Sequence, residues 1–194
     1  MRAVGNDPQA FTAAVADITS FVSRPDITLS EVPAPARLAP HALALVAEPA
    51  DPEQDTFSGR FVLLHDPDGV EEWNGTFRVV IFIRATLEAD LLNDELMRAV
   101  AWSWVTEATH TLMLDELGGT VTTNCGDSFG SLADRPSDGF VEVRASWTPR
   151  ETDNVPMDSL AQHLQAWIAC LEFAGGLTPL SDGVVPVLSA RRRG

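Results

Sequence analysis

Apolar residues recur along this chain with two alternating periods. Phe11, Ala14, Val15, Ile18, Phe21 and Val22 fall at the spacing of one helix face. Asp7 is suited to cap that helix, Pro8 to its first position, and Arg24 with Pro25 to its end. Residues 26–46 read as a short extended segment, a stretch spaced by Pro33, Pro35 and Pro40, and an apolar strand or turn. Residues 48–55 are acidic and predict an exposed loop. A strand at 60–65 and a turn at Asp66, Pro67, Asp68 and Gly69 follow. Residues 75–87 form a second strand, with Phe77, Val79, Ile81 and Ile83 on one face. Val80 and Phe82 make its other face apolar too, which predicts a central strand. Asn93 or Asp94 then caps a helix with the stripe Met97, Val100, Ala101, Trp104, Val105, Ala108 and Leu112. Gly118 and Gly119 are expected to stop it.

The same sequence of patterns then returns. Residues 120–124 read as a strand, and a loop rich in Gly, Ser and Asp runs to Asp138. In 140–148, Val141, Val143, Ala145 and Trp147 alternate with Glu142, Arg144 and Ser146, so one face is buried and one solvated. Asp158 or Ser159 caps a last helix carrying Leu160, Leu164, Trp167, Ile168 and Leu171, which Gly175 and Gly176 stop. Ile83 to Thr86 matches Val143 to Ser146 in type, and Trp104 matches Trp167. The prediction is an α+β fold with a largely antiparallel sheet and helices packed on one face. It is built as two strand-strand-helix units, 60–118 and 119–176, a tandem repeat. An N-terminal helix and proline-spaced segment (8–46) precede them and a tail (177–194) follows, all in one domain of 194 residues.

Charge changes this picture more than composition does. Asp and Glu total 28 against 13 basic residues, a net charge of −15. Every basic residue is Arg, three of them at 191–193, and the chain has neither Lys nor Tyr. The loss of two AT-rich codon sets points to a GC-rich genome. An acidic body repels phosphate backbones and anionic lipid, which disfavours direct nucleic-acid or membrane-surface binding and suits a partner with a basic surface. Cys125 and Cys170 are isolated and form no disulfide framework. No apolar run approaches a membrane span, and the first residues lack the layout of a signal peptide, so the expected location is the cytoplasm.

The sharpest catalytic pattern is Gly126, Asp127, Ser128, Phe129, Gly130, which fits G-x-S-x-G after a strand. A hydrolase would use Ser128 as nucleophile and His163 as base, with Asp134, Asp138 or Asp153 between them in the chain. The helix that must follow the serine is missing from the pattern, however, and Pro136 and Gly139 interrupt that stretch. A glycine-supported loop is the preferred reading. The four histidines have no metal-ligand spacing, and Asp66, Asp68 and Glu71 lack the remainder of a calcium loop. No phosphate-binding glycine loop is present, so no cofactor or metal is expected. Trp102 lies about 200° from Trp104 on its helix and is a candidate interface anchor. Arg84 and Arg144 occupy the same face of equivalent strands and are candidates for a small anion site between them; with Arg135 they would form the positive patch that an RNA-associated factor needs. Salt bridges to the abundant acids are the simpler use of them.

Several strings taken together carry a resemblance: EVPAPARLAP at 31–40, LLHDP at 63–67 with WNGTFR at 73–78, WSW at 102–104, SFG at 128–130 with RP at 135–136, and RASW at 144–147. The chain resembles the uncharacterised actinobacterial domain-of-unknown-function family numbered three thousand, from about Phe11 to the Arg-rich tail. That resemblance implies a GC-rich source and carries over no activity, cofactor or catalytic residue. A ribonuclease D-like exonuclease often encoded near its members adds an RNA-metabolism accessory role as an alternative. The leading expectation is a non-enzymatic, acidic interaction or regulatory protein that binds a basic or partly unfolded partner. The alternative enzyme is a hydrolase built on the serine loop.

Overall fold

A computed structural model describes residues 8–35, 37–134, 138–150 and 159–178. Along them run α1 (Pro8–Thr19), β1 (Ile27–Val32), β2 (His41–Pro49), β3 (Phe57–Val70), β4 (Gly75–Thr86), α2 (Ala89–Leu92), α3 (Met97–Thr109), β5 (Leu114–Gly126), β6 (Asp138–Pro149) and α4 (Leu160–Ala174). All six strands join one antiparallel sheet in the order β1-β2-β3-β4-β6-β5. The expected α+β fold is therefore present, with β4 inside the sheet.

The period-two residues face the helices. Phe77, Val79, Ile81 and Ile83 of β4 and Val141, Val143, Ala145 and Trp147 of β6 are buried in one cluster with Ala14 and Ile18 of α1, Ala101 and Val105 of α3, and the whole α4 stripe. Trp167 sits at the centre, and its indole N–H reaches Phe82 O at 3.4 Å. Gly59 of β3 makes this approach feasible: a Cβ there would lie 2.8 Å from a Leu171 methyl and 2.9 Å from the Trp167 ring. A smaller cluster around Ala44, Val62 and Leu64 lies on the other face, under Trp73 and Val80. Asp17 of α1 ties the helices together by accepting from the Ser159 hydroxyl at 2.7 Å and the Ala161 N–H at 3.0 Å, at the start of α4.

The strand-strand-helix order expected twice is present as β3-β4-α3, with the short α2 inserted, and as β5-β6-α4. The equivalent strands β4 and β6 lie side by side and pair Ile83 with Val143, the two residues matched in the sequence. Each helix crosses to the other unit's strands: α3 packs on β5 and β6, α4 on β3 and β4.

Four boundaries differ from the expected ones. α1 stops at Thr19, where the Thr19 and Ser20 hydroxyls bond back to Val15 O and Asp17 O. The Asp66 to Gly69 segment is a bulge inside β3. Asp66 accepts from the Asp68 N–H, Gly69 takes φ 75°, and the chain reverses later, at Glu71–Trp73 with Asn74 at φ 54°. A one-turn α2 precedes α3, and Asp94 accepts from the Leu96 N–H just before it. Finally, α3 ends at Thr109, and Gly118 and Gly119 lie within β5. Arg150, at the end of β6, draws that segment into the sheet: its N–H donates to Met113 O, and its guanidinium holds Leu114 O and Asp115.

Candidate functional site

The serine loop and the histidine lie apart. Ser128 is half-buried just past the end of β5, where Gly126 pairs with Asp138 at the start of β6. His163 is buried under α4, where its Nδ1 accepts from the Trp147 indole N–H at 2.9 Å. Trp147 is at the far end of β6, and the strand from Gly139 to Trp147 spans roughly 25 Å. His163 is a core histidine oriented by a tryptophan, and it does not reach Ser128. Phe129, next to the serine, is 80% exposed.

Arg84 and Arg144 do share the helix-free face of β4 and β6, as expected. Glu142 stands between them, 4.0 Å from Arg84 and 3.3 Å from Arg144. Arg84 also stacks its guanidinium 3.6 Å from the Phe140 ring centre, and Arg144 lies over Phe82. The space where an anion would sit is taken by a carboxylate of the chain itself. Arg135 lies outside the described residues. On the same face Arg78 donates to the Thr148 and Ser146 hydroxyls, and burial lowers its pKa.

Trp102 and Trp104 are both half-buried. Trp102 lies on the sheet: a Cβ at Gly119 would meet its ring at 2.8 Å. Trp104 points to the margin between α3 and α4 and lines a groove of about 350 Å³. Leu87, Leu91, Val100 and Phe173 line it too, and its floor includes Met97 and Gly175. Leu91, Val100 and Phe173 are each about half exposed, and Leu96 beside them is more so. The helical stripe explains this. Met97, Ala101 and Val105 fill the core contact of α3, which leaves Val100 and Trp104 on the flank. The Cys170 thiol bonds to Trp104 O at 3.5 Å and fixes α4 against α3. Burial pushes that thiol up to about 12, so it stays protonated and serves packing.

The groove has an acidic border. Glu88, Asp90, Asp94 and Glu95 are all exposed, and no basic residue occurs from 87 to 97. The sequence reading missed this site because its members come from β4, α2, α3 and α4. The one local signal was Leu91 and Leu96 among four acids, apolar residues outside the predicted helix stripe, to which Val100 belongs.

A second cluster that sequence reading missed lies at the other end of the helix layer. Phe11 of α1, His41 of β2 and His65 of β3 stack with centroids 5.3 to 5.9 Å apart, and Phe77 of β4 lies 4.3 Å from His65. Cross-strand pairing of His41 with His65 makes the contact, a register no spacing in the sequence reveals. Burial first, and His41 second, lower the His65 pKa, against a smaller opposing effect of Asp66. Among the described residues no three His, Cys, Asp or Glu side chains converge as metal ligands. No described helix is long and apolar enough to cross a membrane.

No curated protein and no solved structure matches the chain. A family model described as a protein of unknown function (DUF3000) matches residues 7–185, nearly the whole chain, in agreement with the resemblance read from its motifs. The chain belongs to the DUF3000 family.

Proposed function

We propose that this protein is a non-enzymatic interaction module, and that the groove between α2, α3 and α4 takes an apolar, positively charged segment of another protein. The observation that carries this reading is the half-exposed apolar lining of Leu91, Val100 and Phe173, with exposed Glu88, Asp90, Asp94 and Glu95 adjoining it along the chain against one base, Arg98, in residues 87–98. Apolar anchors in such a groove supply affinity, and the surrounding charge selects the partner and speeds encounter. A segment exposed in a partly unfolded protein and rich in Lys or Arg has that chemistry. The acidic body, at −15 overall, disfavours nucleic acid as the direct ligand. The composition and the absence of a membrane-crossing helix among the described residues fit a cytoplasmic protein, and the missing Lys and Tyr fit an actinobacterial source.

Selection of random displayed peptides on the immobilised full chain tests this. The expected winners combine Leu, Phe or Trp with Lys or Arg, and lose affinity as salt rises. Val100→Glu and Phe173→Glu each weaken them by roughly tenfold or more. Winners that are acidic, or that bind the two variants as well as the parent, would sink the reading.

A further inference from the structure

β5 is the edge strand beside β6, and none of its residues is fully buried. Among the described residues β6 is its one ladder partner, and its other side presents a row of backbone N–H and C=O groups. Soluble proteins ordinarily blunt such an edge with proline, charge, a bulge or short length. β5 has a bulge only at its start, between Asp115 and Gly118. From Gly118 to Gly126 it is regular, and it contains no charged residue and no proline.

Two features of this window call for another backbone. The first is Gly118. A Cβ there would meet nothing within 4 Å, and its φ is not in the left-handed region. Neither packing nor conformation within this chain requires glycine, although glycine inside a strand costs about 0.5–1 kcal/mol relative to alanine. Glycine in a strand marks a bulge or a place that another backbone approaches closely, and Gly118 both closes the bulge after Asp115 and opens the regular window. The second feature is charge. Two copies of a chain at −15 repel each other over most of their surfaces, whereas this window is neutral.

We propose that β5 pairs antiparallel with β5 of a second copy about a two-fold axis near Thr122, giving one sheet with six strands from each copy. An antiparallel strand is complementary to itself, so a single patch serves both partners. The axis matches Gly118 of one copy with Gly126 of the other. It also brings the half-buried Leu117 of each copy to the end where the other carries Phe129 and Leu132, both exposed. Those apolar ends add side-chain burial to the backbone ladder. The pairing is independent of the groove, which lies between α3 and α4.

Sedimentation of the full chain tests the proposal. The expected mass is twice 20.9 kDa at micromolar concentration. Thr122→Lys places like charges opposite each other at the axis and is expected to give monomer with an unchanged circular dichroism spectrum. Thr122→Cys in a Cys125→Ser background is expected to form a covalent dimer on oxidation, because residues opposite each other on antiparallel strands lie within disulfide reach. Val100→Glu, in the groove, leaves the dimer intact. A monomeric parent chain, a dimer that survives Thr122→Lys, or a dimer broken by Val100→Glu overturns the inference.

Discussion

The two edges of this sheet are built to opposite rules. β1 has six residues, lies between Pro25 and Pro33, and carries Glu31 on its run. Its approach is pinned by Arg24, whose side chain is 4% exposed and bonds to Asp26, Glu172 of α4 and Thr178 O. β5 has thirteen residues and a long neutral run; the exposed pair of Arg150 and Asp115 fastens its start, and Arg98 of α3 donates to the Thr123 hydroxyl at 3.4 Å. Proline, charge and a buried ion pair close the first edge. The second keeps its ladder groups available. The same guanidinium-carboxylate chemistry serves both ends, and burial decides how much each instance contributes.

Gly118 and Gly119 give the sharpest way to separate structure from availability on β5. They are adjacent in sequence and opposite in environment. A Cβ at Gly119 would lie 2.2 Å from Arg144 O and 2.8 Å from the Trp102 ring. The carbonyl belongs to the β6 ladder and cannot move aside cheaply. Gly119→Ala is expected to cost about 3 kcal/mol or more in urea unfolding. Gly118→Ala leaves the monomer's stability equal or slightly higher, because the new methyl meets open space. Equal losses at the two positions in the monomeric Thr122→Lys background would mean that the edge is covered within the chain itself.

On the closed edge, Arg24→Met is expected to cost about 2–3 kcal/mol. It removes a buried guanidinium with two acid partners and frees the Thr178 carbonyl. The partners are themselves partly exposed, which keeps the loss below that of a fully buried pair. A change too small to measure would show that prolines alone close this edge.

The helix layer above the β1 side adds a pH dependence around neutral pH. His65 has its pKa lowered in the folded state, so it contributes stability above its unfolded value near 6.5 and that contribution fades as pH falls below it. The groups facing it are Phe11 on α1, His41 on β2, Asp66 on its own strand and Phe77 on β4. The melting temperature is expected to fall between pH 7.5 and 5.5, and His65→Leu to flatten that slope. A slope that persists in the variant would place the titrating group elsewhere.

Elements that one period describes were readable in the sequence; elements held by distant partners were not. β4, β6 and α4 follow strict alternation or a helical stripe, and their buried faces are the predicted ones. The start of β5 is set by Arg150, thirty-five residues away from Asp115, so the helix was extended across it. The Pro67 turn chemistry was real, but the chain spent it on a bulge. The groove was legible only as a surplus of apolar residues on α2 and α3. Ser128 and His163 illustrate the converse: correct residue types in a permissible order, with the length of β6 between them.

The smallest effect is expected at the Arg150–Asp115 pair. Arg150 holds the Asp115 carboxyl below its ordinary range, chiefly through its side-chain hydrogen bonds. The sign follows: any stability from the pair is present above about pH 4 and is lost as pH falls through the lowered value. The Arg150 side chain is 45% exposed, so water and salt screen most of that gain. Asp115→Asn is therefore expected to leave the melting temperature at neutral pH nearly unchanged, and molar salt to erase what difference remains. Its informative readout is local. If the pair aligns the start of β5, amide hydrogens at Leu114 and Leu117 exchange faster in Asp115→Asn while those at Val121 and Thr123 do not. Faster exchange along the whole strand would mean that β5 is zipped onto β6 from this one end, and that its neutral run owes its order to a surface ion pair.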